Sequence, residues 1–237
     1  MTITQRVTPN YAKGRSGWTP DMIVCHTTEG AYEGAVSWLT NPDSGVSSHY
    51  VVAKDGRITQ LVSLNDTAWG NGTNNTATDN RNNAYSLLQS VRDRKVNANY
   101  YTVSIEHEGK VAETKGSLAP AQLEATIWLI SHIRAEIRRL FDLDIPICRQ
   151  HIVAHSDIVP KWKPYCPGPD FPFDEIIRRL SAGQEAPQAV SAQEPSAWAL
   201  AAWNWARGQG ITDGTNPQNP ATREQVITML HNYSRLK

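Results

Sequence analysis

The sequence lacks an excess of charge of either sign. Its 23 Lys and Arg stand against 23 Asp and Glu, so the formal net charge is zero. Without an imbalance, neither nucleic acid nor an anionic membrane surface is indicated as a partner. A disulfide framework is also missing, because the 3 cysteines are odd in number and irregularly spaced. Cys25 and Cys148 lie among apolar residues and read as small buried hydrophobes. Cys166 sits in a Pro-Gly-rich loop, where a thiolate can serve as a ligand. No apolar run approaches membrane-spanning length. The N-terminus has no basic segment followed by an apolar stretch, so no signal peptide is expected and the chain is expected to be made in the cytoplasm.

What the chain does have is tryptophan and punctuation. The 8 Trp suit a carbohydrate-like polymer gripped by flat rings, with core packing as the competing use. Residues 182–194 are rich in Ala, Gln, Glu and Pro without aromatics, which reads as a linker. They separate a large domain, 1–181, from a small module, 195–237.

Within the large domain, Asp21 to Cys25 reads as a buried strand ending at His26. Tyr32, Ala35, Val36 and Leu39 have helical spacing, with an N-cap expected at Thr28 or nearby. Ser48–Val52 and Ile58–Val62 read as two strands joined by a Lys54-Asp55-Gly56-Arg57 hairpin turn. Residues 70–83 form a polar loop that no core is expected to absorb. Tyr100–His107 alternates like a strand, and Ile152-Val153-Ala154 reads as another. Pro120–Phe141 predicts a long amphipathic helix with Leu123, Ile127, Ile130 and Ile137 on one face, and Phe173–Leu180 a short one. Interleaved helices and short β-branched strands predict a mixed α/β fold, a central sheet flanked by helices.

His26, His155 and Cys166 are residues of the type that hold a catalytic zinc, three protein ligands leaving one position for water. His151 competes with His155, because residues four apart share a face on a strand as on a helix. Glu106 and Glu108, two apart on one strand face, both offer a general base. Lys161, Lys163 and Arg149 are the cations near the Cys166 loop, any of which can stabilise an oxyanion.

Taken together these strings resemble a family. Val24-Cys25-His26-Thr27-Thr28, Ser47-Ser48-His49-Tyr50-Val51-Val52 with Asp55-Gly56-Arg57-Ile58, Ala68-Trp69, Ser104-Ile105-Glu106, and Val153-Ala154-His155-Ser156-Asp157-Ile158 with Cys166-Pro167-Gly168 are similar to blocks of the zinc-dependent N-acetylmuramoyl-L-alanine amidases of the peptidoglycan-recognition-protein fold. The resemblance spans about 20–175. It implies one Zn²⁺ on His26, His155 and Cys166, with Glu106 as base and Lys163 stabilising the oxyanion; Lys161 is the fallback. It also implies Thr27, His49 and Trp69 as substrate-cleft residues and peptidoglycan as substrate, with action on a Gram-positive cell wall as an endolysin. The Cys ligand favours an enzyme over a non-catalytic peptidoglycan binder; a host autolysin is the other alternative. Two departures stand out. Gly70 takes the place of a histidine common in relatives, and Pro164 that of their catalytic lysine, one residue after Lys163.

In the module, Trp198, Ala201, Ala202 and Trp205 share one helical face, and Val226, Met229, Leu230 and Tyr233 another, with Thr222 as N-cap and Gln225 completing a capping box. Gly210-Ile211-Thr212-Asp213-Gly214-Thr215 and Pro220-Ala221-Thr222-Arg223-Glu224 resemble a single S-layer-homology repeat. That implies a secondary cell-wall polymer as partner. A lone repeat of this size is near the limit of independent stability, which makes self-association the alternative.

Overall fold

The computed structural model describes residues 1–182, 195, 199–212 and 223–235. The chain divides into two compact units, Met1–Gly183 and Gln184–Lys237. No helix among the described residues is long and apolar enough to cross a membrane.

The first unit runs β1 (Ile3–Gln5), β2 (Tyr11–Ala12), β3 (Met22–Thr27), α1 (Tyr32–Thr40), β4 (Tyr50–Val52), β5 (Ile58–Gln60) and β6 (Thr67–Ala68). It continues through α2 (Gln89–Arg94), β7 (Thr102–His107), α3 (Val111–Thr114), α4 (Pro120–Phe141), β8 (Ile152–Ala154), α5 (His155–Ile158) and α6 (Phe173–Ala182). Six strands form one sheet in the order β1-β5-β4-β7-β3-β8, and β2 and β6 pair separately. Only the β4–β5 hairpin is antiparallel within the large sheet. The mixed α/β architecture is the expected one. Its central strands β3 and β7 are almost wholly buried, β3 reading as a near-continuous apolar run and β7 as an alternating one.

Side-chain alternation assigns the two faces of the sheet. Ile23, Cys25, Val103 and Ile105 join Leu129, Ile133 and Ile137 of α4 in the main core. Met22 and Val24 face the other way, with Tyr101, Val153 and Ile158. His26 is paired in register with Glu106, so both follow Val24 and Ser104 onto this second face.

Several local expectations shift. The N-cap of α1 is Ala31, without a side-chain cap; the Thr28 hydroxyl instead donates to the Gly30 carbonyl. The buried stripe of α4 centres on Ala125, Leu129, Ile133 and Ile137, leaving Leu123 and Ile127 at its margin. Gln122 is drawn into that stripe because its amide donates to the Val52 and Glu108 carbonyls. The polar 70–83 loop is partly internal: Asn71, Thr73, Asn82 and Asn83 are buried, held by hydrogen bonds such as Asn83 Nδ2 to the Asn74 carbonyl. Cys25 is buried as expected, whereas Cys148 is half-buried.

In the second unit, α7 (Leu200–Gly208) and α8 (Arg223–Ser234) are the described helices. The two apolar faces read from the sequence are largely exposed where they are described. Ala201, Ala202, Trp205, Val226, Leu230 and Tyr233 are exposed, while Trp203, Ala206 and Met229 are half-buried. The rings of Trp205 and Tyr233 lie 6.3 Å apart. Trp198, Asp213, Thr222 and the side chain of Gln225 fall outside the described residues, as does nearly all of the 182–194 linker; Ala182 closes α6.

The α4 core sets the stability of the first unit. Leu129→Ala, at a fully buried position, should lower unfolding free energy by about 2–5 kcal/mol. Urea midpoints of the full chain, followed by near-UV circular dichroism, check this; an unchanged midpoint would place the core elsewhere.

Candidate active site

The site forms where β3, β7 and β8 end together. β3 delivers His26, β7 delivers Glu106 in register beside it, and β8 runs directly into α5, whose first residue is His155. The Asp157 carboxylate fixes that turn, accepting the Ala154 N–H and an Arg149 guanidinium N–H, each at 2.8 Å. The Ser156 N–H then donates to the Cys166 carbonyl at 2.9 Å, tying the third residue of the trio to the second.

One ligand atom each from His26, His155 and Cys166 lies within 4.8 Å of the others. His26 Nδ1 is 3.9 Å from Cys166 Sγ and 3.9 Å from Glu106 Oε1, and the His26 and His155 rings meet edge to face at 4.4 Å. His151 is excluded from the cluster, its Nδ1 bonding the Asp21 carbonyl. Glu108 is excluded likewise, its carboxylate accepting the Lys54 N–H in an exposed hydrogen bond at 2.8 Å. Lys161 lies over the Tyr85 ring at 3.3 Å, whereas Lys163 lines the cleft with the trio. Arg149 is spent on Asp157.

The Cys166 loop is clamped by backbone contact. Thr27 Oγ1 donates to the Pro167 carbonyl at 2.7 Å, and the Asp170 N–H to the Lys115 carbonyl at 2.8 Å. Gly116 and Gly168 both have positive φ, +91° and +120°. A Cβ on Gly168 would lie 2.3 Å from the Lys115 carbonyl oxygen, and one on Gly116 would lie 2.5 Å from that of Pro167. Both glycines are required by this close approach.

Burial dominates the electrostatics. It pushes the Glu106 carboxyl up to about 7, opposed by Lys163 and aided by Glu29. Burial likewise takes His26 down to about 3, opposed by a hydrogen bond to the Asn71 side chain. His155 falls well below the ordinary range by burial and then by His26. The Cys166 thiol rises to about 12 by burial and the nearby Glu106. His26 Nε2, His155 Nε2 and Glu106 Oε2 are buried without strict hydrogen-bond partners. Two neutral imidazoles, a thiol and unpartnered polar atoms around one point are a donor set suited to a thiophilic divalent cation.

The trio opens into a cleft of about 810 Å³. Trp38, Trp69 and Trp162 line it, with Tyr165, Glu29 and Arg81. Trp69 and Thr27 are therefore on the cleft wall as expected, although the Thr27 hydroxyl is committed to Pro167. His49 is the correction. It is 1 % exposed and sits between Arg15 Nη2 at 2.9 Å and the Ser104 N–H at 3.1 Å, so both ring nitrogens are engaged behind the cleft wall. Arg15 itself, bonded to the Leu64, Tyr100 and Thr102 carbonyls, escaped sequence reasoning. So did Asn71, Arg81 and Trp38. For Trp38 the tryptophan excess was the one available signal.

A family model for N-acetylmuramoyl-L-alanine amidase matches residues 16–169, more than half of the chain and all of the site. The chain belongs to the N-acetylmuramoyl-L-alanine amidase family. N-acetylmuramoyl-L-alanine amidase A of Achromobacter lyticus is 34% identical over 114 residues, 48% of this chain and 50% of that protein. The chain thus spans about half the length of the curated relative it matches. Among solved structures, an AmpD derivative aligns with TM-score 0.51 at 21% identity, covering 75% of this chain and 93% of that one. A PlyL mutant aligns with TM-score 0.52 at 16% identity, covering 77% and 100%. These two structures share the fold with this amidase-family chain.

The clamp makes a specific expectation. Gly168→Ala must displace either the Lys115 turn or the Cys166 loop, so Co²⁺ titration of the folded variant should show weakened binding and a diminished thiolate-to-cobalt absorption band. An unaltered band would mean that the loop position is set by other contacts.

Proposed function

We propose that this chain is a zinc-dependent hydrolase of peptidoglycan. It would cleave the amide between the lactyl group of N-acetylmuramic acid and the L-alanine of the stem peptide. The observation that carries the reading is the convergence of His26, His155 and Cys166 with a partnerless buried carboxylate oxygen of Glu106 beside them. Family membership and the name of the Achromobacter lyticus relative supply the bond and the substrate. His26, His155 and Cys166 would hold one Zn²⁺, which when bound supplies Lewis acidity toward a carbonyl oxygen and a water.

The chain's own residues divide the remaining work. Glu106, whose carboxyl burial pushes up to about 7, is placed to take a proton, as the carboxylate, from the attacking water and return it to the leaving amine. The Lys163 ammonium, at the cleft wall, offsets negative charge developing on the carbonyl oxygen. Trp69 and its neighbours Trp38 and Trp162 offer flat apolar faces to a sugar, and Thr27 serves by holding the Pro167 carbonyl. Action on a Gram-positive wall, as a lytic enzyme, belongs to the same proposal and draws on the sequence resemblance.

Residues 195–237 would attach the enzyme to a wall polymer. The exposed Trp205, Val226, Leu230 and Tyr233 support this reading.

Glu106→Gln should retain zinc but lower release of free amino groups from peptidoglycan by about 10²–10⁴-fold, with no new reducing sugar in either protein. Chelation should abolish the wild-type rate and zinc should restore it. An undiminished rate in the variant would remove Glu106 from the mechanism, and release of reducing sugar would replace amide hydrolysis with glycoside hydrolysis. For the module, Trp205→Ala with Tyr233→Ala in the full chain should reduce pelleting with purified walls while turnover of a soluble muramyl peptide is unchanged. Equal pelleting would leave the module without a wall-binding role.

A further inference from the structure

We infer that His107 is a positioning residue that holds His26 and the Cys166 loop in one frame. Its Nδ1 donates to the His26 carbonyl, and its ring packs on Phe171 in the loop that follows Cys166. The inference rests on the proposed reading of His26 and Cys166 as ligands of one cation.

Register places the residue. His107 pairs with Thr27, as Glu106 pairs with His26. By alternation the Thr27–His107 pair takes the opposite face of the sheet from the His26–Glu106 pair. His107 thus adjoins the proposed base in sequence but lies on the α4 side, 1 % exposed. An apolar side chain would fill this position without a polar atom to satisfy. The imidazole instead puts Nδ1 2.9 Å from the His26 carbonyl oxygen. A carbonyl can only accept, so Nδ1 carries the proton. Nε2 is buried without a hydrogen-bond partner. The Nδ1 bond is therefore the ring's one polar anchor among the described residues.

The same ring reaches the loop of the third ligand. It meets Phe171 edge to face at 5.0 Å, and Phe171 is buried in the core with Leu129 and Ile133 of α4. The chain after Cys166 thus passes from the site over the strand ends and into that core. It is held at two points, by residues that are register partners. The Thr27 hydroxyl takes the Pro167 carbonyl at 2.7 Å, and the His107 ring takes Phe171. A shift of either strand end would carry Cys166 with it.

The donor and the ring have separable effects. Donation fixes the planar peptide that joins His26 to Thr27, and so governs the end of β3. Ring packing governs the loop.

Two substitutions separate them, read by amide hydrogen exchange of the cation-free full chain and by Co²⁺ titration. The Thr28 N–H, bonded to the His107 carbonyl at 3.0 Å, reports the end of β3. The Asp170 N–H, bonded to the Lys115 carbonyl at 2.8 Å, reports the loop. His107→Phe keeps a ring and loses the donor; it should speed exchange at Thr28 more than at Asp170. His107→Asn keeps a donor near the Nδ1 position and loses the ring; it should speed exchange at Asp170 more than at Thr28. Each should weaken Co²⁺ binding about tenfold, the low end of what partners behind a ligating histidine carry. If His107→Asn does not fold, Phe171→Leu removes the same ring contact from the other side and should reproduce its exchange pattern. Exchange that is unchanged, or accelerated evenly over both amides and those of α4, would overturn the inference, as would Co²⁺ binding by wild type that neither variant weakens. The crossed exchange pattern in a protein that takes up no Co²⁺ would sustain the role of His107 and sink the metal reading instead.

Discussion

Everything at this site depends on the parallel pairing of β3 with β7 and its register. The pairing sets His26 opposite Glu106 and Cys25 opposite Ile105. Because side chains alternate, that one register sends the apolar pair into the α4 core and the polar pair to the cleft. A slip of β3 by one residue would turn the imidazole toward α4 and Cys25 toward the other face, parting His26 from Glu106. The register is held by burial on both faces, with Ile23, Val103 and Ile105 locked under α4 and Met22 and Val24 packed on Tyr101 and Val153. β8 extends the logic: its pairing of Cys25 with Ala154 leaves His155 as the next residue, already beside His26.

The third member of the trio cannot be positioned by the sheet, because it lies on a loop. Here the chain uses contacts that only backbone can make. The Lys115–Gly116 turn and the Pro167–Gly168 turn touch without intervening side chains, and the Thr27 hydroxyl, on the residue after His26, closes onto Pro167. Cys166 is thus referenced to the end of β3 and, through the Ser156 N–H, to the start of α5. A site needs such rigidity because a ligand displaced by even a fraction of an ångström no longer shares a cation with its partners.

The legibility of this structure in its sequence followed the type of interaction. β3, β7 and α4 were plain, since burial writes periodic apolar patterns. Glu106 and the trio were reached through short strings whose residue types carry chemistry. His49 was misplaced because a histidine inside a strand–hairpin block reads the same whether it faces a ligand or a buried arginine; only Arg15, 34 residues away and anonymous in sequence, decides it. The interior asparagines were missed for a related reason. Asn71 donates its side-chain amide to Thr102, and Asn83 to Asn74 and Asn75, bonds that no local pattern separates from those of the solvated asparagines around them. The buried face of α4 was misjudged by a fraction of a turn because Gln122 points inward to two carbonyls.

The same burial that makes the site chemically apt makes it costly to the fold. Desolvation takes two imidazoles, a thiol and a carboxyl toward their neutral forms, and polar atoms on three of those side chains have no strict partner. Each buried polar atom without a partner costs about 1–3 kcal/mol. A cation that joined the trio would offset part of this and convert the thiol to thiolate. These groups are held by what surrounds them: the largely buried strands β3 and β7, the Asp157 carboxylate that holds the His155 turn, and the glycine contacts beside Cys166. The ordering is physical. A rigid apolar sheet is the precondition for holding unsatisfied polar groups at its edge, and those groups are what the proposed metal and substrate would satisfy.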